Sequence, residues 1–333
     1  MSLFNVCLFG AGRIGRIHAA NLAAHPRVRL AGVVDVNEGA AVELAQRHDT
    51  RALTAAEALA DTSLDAVVIA TSTDTHHGLI TDCAARGLAM LCEKPLDLDL
   101  AKAREAVAVA EAAGVPLYVG FNRRFDPSFQ RIHEELKSGA VGEVEVISIT
   151  SRDPSPPPLD YVRRSGGLFR DMMIHDFDMA AWLLGELPVQ VYASGACLAD
   201  PAIGEAGDVD TASVILSAAS GAQVQITNSR RCCYGYDQRL EVFCAGGMLR
   251  AGNLTATQVE RADAGGFLTE PALPFFLERY EAAYRLQMSA FINALSGQSG
   301  HLASGREALR PLLLAEAAER SLASGKAEAP EAH

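Results

Sequence analysis

Unbroken apolar runs, too short for helices, recur through the first third of the chain at residues 6–9, 30–34, 66–70, 90–92 and 117–119, with helical patterns between them. A strand with one wet face alternates apolar and polar residues, whereas a strand buried on both faces does not. A parallel sheet covered by helices on both sides is the arrangement that buries both faces. The pattern therefore predicts an α/β fold in which residues 1–122 form a doubly wound parallel sheet. Beyond Arg124 the texture changes, because residues 144–151, 189–197, 212–218, 223–228 and 240–244 follow one another with few helices between. That predicts an α+β domain over 123–333 with a large, mostly antiparallel open sheet. Helices are predicted over 171–184, 277–295 and 306–324, the last available to pack back on the first domain. Residues 153–159 hold four prolines and can only be a loop.

At 333 residues the chain exceeds the length at which one core stops growing, which fits two domains. Its 49% hydrophobic and 21% charged residues are those of a folded protein. A net charge of -12 repels polyanions, so nucleic acid is not an expected partner. The start of the chain has no basic segment with a cleavage site, and no apolar run reaches the roughly 18 residues of a membrane span; a cytoplasmic protein is expected. The seven cysteines include no C-x-x-C pair, which argues against a disulfide framework and a structural zinc. Cys232 and Cys233 are expected to sit in a strand and point to opposite faces.

Candidate chemistry begins with Gly10-Ala11-Gly12-Arg13-Ile14-Gly15, a G-x-G-x-x-G directly after a strand and opening a helix. Gly10 permits the tight turn, Gly12 lets backbone approach a pyrophosphate, Gly15 allows close helix packing, and free N–H groups at the helix start attract the anion. This is the Rossmann dinucleotide pattern, and a ligand-free glycine turn is the alternative. Asp35 lies twenty residues beyond Gly15, where a carboxylate accepts ribose hydroxyls. It favours NAD over NADP, since a 2′-phosphate would meet a negative charge; a turn-forming aspartate is the alternative. Thr71-Ser72-Thr73-Asp74-Thr75-His76 follows the third long apolar run at the edge where such sheets bind ligands, unless its hydroxyls only cap the next helix. His76 and His77 lack partners at ligand spacing, so surface or supporting histidines are expected rather than metal ligands.

Glu93-Lys94-Pro95 ends another strand at the same edge, placing an ammonium group where it could hydrogen-bond a substrate hydroxyl and stabilise alkoxide character. An ordinary surface Glu–Lys pair is the alternative. Asp171 and His175 stand four apart, which puts them on one face of the predicted helix, a spacing suited to a carboxylate orienting an imidazole. Apolar Met172, Ile174 and Phe177 imply partial burial and shifted pKa values; a capping aspartate beside an incidental histidine is the alternative.

Taken in order, Gly-Ala-Gly-Arg-Ile-Gly, Asp35, Glu93-Lys94-Pro95 and Gly167…Asp171…His175 resemble the glucose–fructose oxidoreductase/inositol dehydrogenase (Gfo/Idh/MocA) family over nearly the whole chain. Phe169 to Asp178, Asn122 to Asp126, Tyr234 to Arg239 and Phe276 to Tyr280 are similar to inositol 2-dehydrogenases in particular. The resemblance implies NAD-dependent oxidation of a ring hydroxyl of a cyclic polyol to a ketone, myo-inositol to 2-keto-myo-inositol (scyllo-inosose) being the expected reaction. It implies a catalytic triad of Lys94, Asp171 and His175, with His175 as base and no metal. The cofactor surface it implies comprises Gly10, Gly12, Arg13, Ile14, Gly15, Asp35, Thr71, Ser72, Thr73, His76, Glu93, Lys94 and Asn122. Besides the triad, Arg124, Asp153, Asp178 and Tyr236 are placed nearest the substrate. Met173 departs from the glycine that many relatives carry two residues after the aspartate. A homotetramer or homodimer through the C-terminal sheet is also implied. Two rivals remain: another inositol isomer or a pyranose as substrate, or a non-catalytic NAD-binding regulator. No Tyr-x-x-x-Lys occurs to support short-chain dehydrogenase chemistry.

Overall fold

The apolar runs of the first third become β1 (Phe4–Phe9), β2 (Val28–Val34), β3 (Ala52–Leu53), β4 (Ala66–Ile69), β5 (Ala89–Cys92) and β6 (Leu117–Val119). Every residue of β4 and β5 is buried, as a strand covered on both faces requires. In the computed structural model, which describes residues 3–298 and 300–330, these strands pair in parallel in the order β3-β2-β1-β4-β5-β6. Ala303–Ser304 adds an antiparallel edge against β6. The helices between are α1 (Arg13–Ala24), α2 (Glu38–Arg47), α3 (Ala55–Ala60), α4 (His76–Ala85) and α5 (Leu100–Ala112). Strand order reverses between β1 and β4, which makes the carboxyl ends of those two strands the switch point where open α/β sheets bind ligands.

The chain divides into two compact units, one of Met1–Phe125 with Ala283–Leu309 and the other of Asp126–Ala282 with Arg310–His333. The second contains α6 (Pro127–Ser138), β7 (Val144–Arg152), α7 (Leu159–Ser165), α8 (Gly167–Asp171), α9 (Ile174–Leu184), β8 (Gln190–Ala196), α10 (Pro201–Glu205), β9 (Thr211–Ser217), β10 (Gln223–Ser229), β11 (Asp237–Cys244), β12 (Gly247–Ala251), β13 (Glu260–Asp263), β14 (Gly266–Thr269) and α11 (Phe276–Arg279). The long helices α12 (Glu281–Ala294) and α13 (Gly305–Ser324) close the chain. Six strands form one sheet in the order β12-β11-β7-β10-β9-β8, antiparallel except where β7 runs parallel to β10. Burial alternates along β8, β9 and β10, so one face joins the core and the other does not.

The elements read from the sequence differ from this structure at three places. The helix expected over 277–295 is interrupted by a turn at Tyr280, which separates α11 from α12. A single helix over 171–184 is expected, but α8 ends at Asp171, a turn follows at Met172-Met173, and α9 starts at Ile174. The amides of Met172 and Met173 both donate to the Leu168 carbonyl, at 3.0 and 2.9 Å, so the ladder slips by one residue. Both methionine side chains are buried there, and packing outweighs the regular ladder. Cys232 is buried and Cys233 exposed as expected, but they lie in the loop after β10 rather than in a strand.

Candidate active site

The glycine loop is held from three sides. Gly10 N–H donates to Val34 O at 2.7 Å, and a Cβ at Gly10 would lie 2.3 Å from Ala70 O, with φ at +106° where only glycine is comfortable. A Cβ at Gly15 would stand 1.9 Å from Gly10 O, so α1 packs against the loop only because that position carries none. Around Gly12, by contrast, an added Cβ would meet nothing within 4 Å, leaving its backbone open to a ligand. Asp35 ties the loop to β2: Oδ2 accepts from Ala11 N–H at 2.6 Å and Oδ1 from Asn37 N–H at 2.8 Å. The carboxylate thus forms the turn and also anchors the motif.

Helix starts sort into two kinds here. Asn37, Thr54 and Asp99 cap α2, α3 and α5 with their own side chains. Among the described residues, no side chain caps α1 or α4, the two helices that leave the switch point. At α1 the first N–H groups, with the positive end of the helix dipole, are left for an anionic ligand, whereas at α4 the turn over Thr73–Thr75 already takes the His76 N–H, which donates to Thr73 O. The hydroxyls of the 71–75 segment do not cap α4; Thr71 and Thr75 bond each other at 2.7 Å, and Thr75 also donates to Ser72 O. The donor set, the open cradle at Gly12 and the ribose-side carboxylate fit a dinucleotide.

At the end of β5, Glu93 does not form a simple pair with its neighbour Lys94: its Oε1 lies 2.7 Å from Nε2 of buried His18 on α1. Lys94 is half-buried. His76 is buried rather than superficial, and half-buried His77 pairs with Glu105 at 3.2 Å. Arg13 is exposed, Ile14 half-buried and Asn122 buried. Arg124, also buried, donates to Glu307 at 3.0 Å. Burial raises the Glu307 carboxyl, but the Arg124 charge and the Ser304 donors outweigh it and hold it below the ordinary range.

In the second unit Asp171 ends α8 and His175 sits in the first turn of α9, so neither a capping role nor one continuous helix describes them. Asp171 Oδ1 accepts from the Tyr161 hydroxyl at 2.7 Å, and Arg230 Nη1 lies 3.3 Å from Oδ2. Burial, then the Asp171 charge, pushes the Tyr161 phenol above its usual range, which keeps it a donor. Arg230 is 1% exposed, and its Nη2 is 3.6 Å from Asp208. Asp208 in turn accepts from Leu168 N–H at 3.0 Å, and a Cβ on Gly167, where φ is +77°, would come within 2.8 Å of its carboxylate. Asp171 is thus carried by buried Arg230, half-buried Asp208 and the hydroxyl of Tyr161, whose side chain is exposed. Sequence reading missed Tyr161, Asp208 and Arg230; Arg230 looks no different from exposed Arg231 beside it. Asp178 is buried on α9, Asp153 is half-buried at the mouth of the proline loop, and buried Tyr236 packs edge-on against Phe275 and Tyr280. Asp176, also buried, accepts from Ser151 at 2.6 Å and Asn228 at 2.8 Å. Among the described residues there is no group of three or more His, Cys, Asp or Glu side chains that could hold a metal.

Residues 4–121 match the family model described as an oxidoreductase family with an NAD-binding Rossmann fold, and residues 129–250 match the GFO/IDH/MocA C-terminal domain. The chain belongs to the GFO/IDH/MocA oxidoreductase family. Members similar to it include the inositol 2-dehydrogenase of Rhizobium meliloti, 48% identical over 95% of this chain and 96% of that one. The myo-inositol 2-dehydrogenase of Thermotoga maritima is 43% identical over 95% of each chain. Among solved structures of the family, a myo-inositol dehydrogenase from Corynebacterium glutamicum superposes with a TM-score of 0.94 at 39% identity, covering 99% of this chain and all of that one. The cofactor of the family, NAD, is the dinucleotide that the glycine loop and Asp35 fit. No helix among the described residues is long and apolar enough to cross a membrane.

Proposed function

We propose that the chain oxidises myo-inositol to 2-keto-myo-inositol in the cytoplasm, with His175 as the base. The observation that carries the reading is the end-to-end similarity to two inositol 2-dehydrogenases at 48% and 43% identity. Bound NAD would supply the hydride acceptor for the carbinol carbon. Gly10, Gly12, Gly15 and the open first turn of α1 would hold its pyrophosphate, Asp35 its adenosine ribose, and the Thr71-Ser72-Thr73 segment its nicotinamide side. His175 withdraws the hydroxyl proton and later releases it to water. Asp171, oriented by Tyr161 and Arg230, stabilises the imidazolium. Lys94 donates to the reacting oxygen and favours its alkoxide form. Arg124, Asp153, Asp178 and Tyr236 are assigned to the remaining ring hydroxyls.

A second copy of the chain is assigned to the outer face of the six-stranded sheet, in a dimer or tetramer. Tyr192 opposite Ile215 and Phe243 opposite Met248 are each 44–49% exposed there. Apolar cross-strand pairs in the open are the kind of surface that a symmetric partner covers. Sedimentation at micromolar concentration tests this, and a monomer refutes it.

Steady-state rates across inositol isomers and hexoses, each with NAD and NADP, test the substrate. The highest kcat/KM is expected for myo-inositol with NAD. A preference for another isomer or a pyranose replaces the substrate assignment, and no turnover with any of them supports a binding-only protein.

A further inference from the structure

The loops that leave β4 and β5 carry the groups assigned above to the two sides of a hydride transfer: Thr71, Ser72 and Thr73 on the cofactor side and Lys94 on the substrate side. The strands beneath pair in register from Ala66↔Ala89 to Ile69↔Cys92, and the last ladder bond runs from Glu93 N–H to Ile69 O at 2.8 Å. Past that bond, a histidine continues the connection. His76, the first residue of α4, places Nδ1 2.8 Å from the Pro95 carbonyl and Nε2 3.2 Å from the Thr71 carbonyl. Its side chain is 1% exposed, so the ring has no face left to lay against a cofactor.

We propose that His76 is a positioning residue, a rigid strut between the Thr71 carbonyl and the Pro95 carbonyl that sets the distance between the cofactor-side loop and Lys94. The proposal rests on the assignment of Lys94 to the substrate oxygen. A five-membered ring suits the task because its two nitrogens point in divergent directions at a fixed angle, and no rotamer change can bring either carbonyl closer without losing the other. Burial holds the imidazole below its ordinary pKa, against the opposing pull of the two carbonyls, Glu93 and Asp97. The neutral ring carries one N–H, and the shorter contact assigns it to Nδ1, donating to Pro95 O. The lysine side is therefore held by a hydrogen bond, whereas the Nε2 lone pair faces the Thr71 carbonyl oxygen and acts only as a spacer that keeps that loop from closing in.

Two substitutions separate the arms. His76→Asn puts an amide N–H near the Nδ1 position and nothing at the far edge. His76→Gln reaches toward the Thr71 carbonyl and abandons Pro95. His76→Asn is expected to keep kcat on myo-inositol within about three-fold and to weaken NAD binding roughly five-fold, because the spacer against the Thr71 carbonyl is gone. His76→Gln is expected to keep NAD binding within about two-fold and to lower kcat more than ten-fold, because a displaced lysine loses orientation. If both variants fold with unchanged melting temperature and alter kcat and NAD binding by the same factor, or alter neither, the proposal is overturned. A wild-type protein that binds NAD but oxidises no inositol would instead defeat the substrate assignment, while the NAD affinity of His76→Asn would still test the strut. The wild-type ring offers a check that needs no variant: its imidazole 15N shifts must report the Nδ1–H tautomer, and an Nε2–H tautomer refutes the donation to Pro95.

Discussion

In the first unit the surface proposed for the cofactor is made of backbone: the glycine loop and the uncapped start of α1, with one carboxylate, Asp35, that braces the loop. In the second, the surface around Asp171 is made of side chains, with Arg230 fully enclosed between two carboxylates and a phenol donating from the opposite side. Backbone donors need no support against neighbouring charge, but they fail when a Cβ intrudes. Buried charges tolerate small shifts of the chain, but each depends on its partner being present, since an unpaired buried ion is far less stable than the pair. The same enzyme therefore has two kinds of fragility, steric in one unit and electrostatic in the other.

The largest effect expected is that of His175→Ala, which should lower kcat about 10³-fold while leaving the NAD dissociation constant unchanged, as read by single-turnover kinetics and calorimetry. A parallel loss of NAD affinity would show that the two units do not divide the work as described. Gly10→Ala should raise the NAD dissociation constant roughly 100-fold through its clash with Ala70 O, a strain of several kcal/mol. Unchanged affinity in that variant would place the pyrophosphate elsewhere.

Arg230→Met should lower the stability of the protein by about 3 kcal/mol in urea unfolding, because Asp171 and Asp208 lose their shared cation. Adding Asp208→Asn should recover part of that loss; if it recovers none, the electrostatic account of this unit is wrong. Asp35→Ser removes both the ribose-side charge and a brace of the glycine loop, and should shift the NAD-to-NADP preference about ten-fold toward NADP. A preference that stays the same would reduce Asp35 to its turn.

The smallest effect concerns acid. Burial raises the Asp210 carboxyl, but three backbone N–H groups from Leu198, Ala199 and Asp200, with the Thr211 hydroxyl, bring it below the ordinary range. A folded pKa below the unfolded value of about 3.9 stabilises the native state above that pH, and the contribution is lost as pH falls through the folded value. The stability gap between wild type and Asp210→Asn should accordingly be full at pH 6 and shrink below about pH 4. A gap independent of pH would remove the carboxylate from the account.

Much of the first unit was legible because its signals are local. A G-x-G-x-x-G after a strand states its own geometry, and each glycine answers to one close approach that a side chain would block. The pair Asp171 and His175 was legible only as a spacing. Their separation onto two helices follows from two amides competing for the Leu168 carbonyl and two methionines turning inward, neither of which a periodic pattern records. Arg230 was not legible at all: one register step along the end of β10 decides which of two adjacent arginines is enclosed.

By itself the chain of residues determined the alternation of strands and helices, the parallel and antiparallel halves, the family and the nucleotide loop, since each depends on contacts within a few turns of sequence. Only the tertiary structure decided which charges are buried together, where the helix before His175 breaks, and that His76 spans two loops instead of facing solvent. Those outcomes depend on groups far apart in the chain competing for the same enclosed space, and the winner is set by packing and desolvation rather than by local preference.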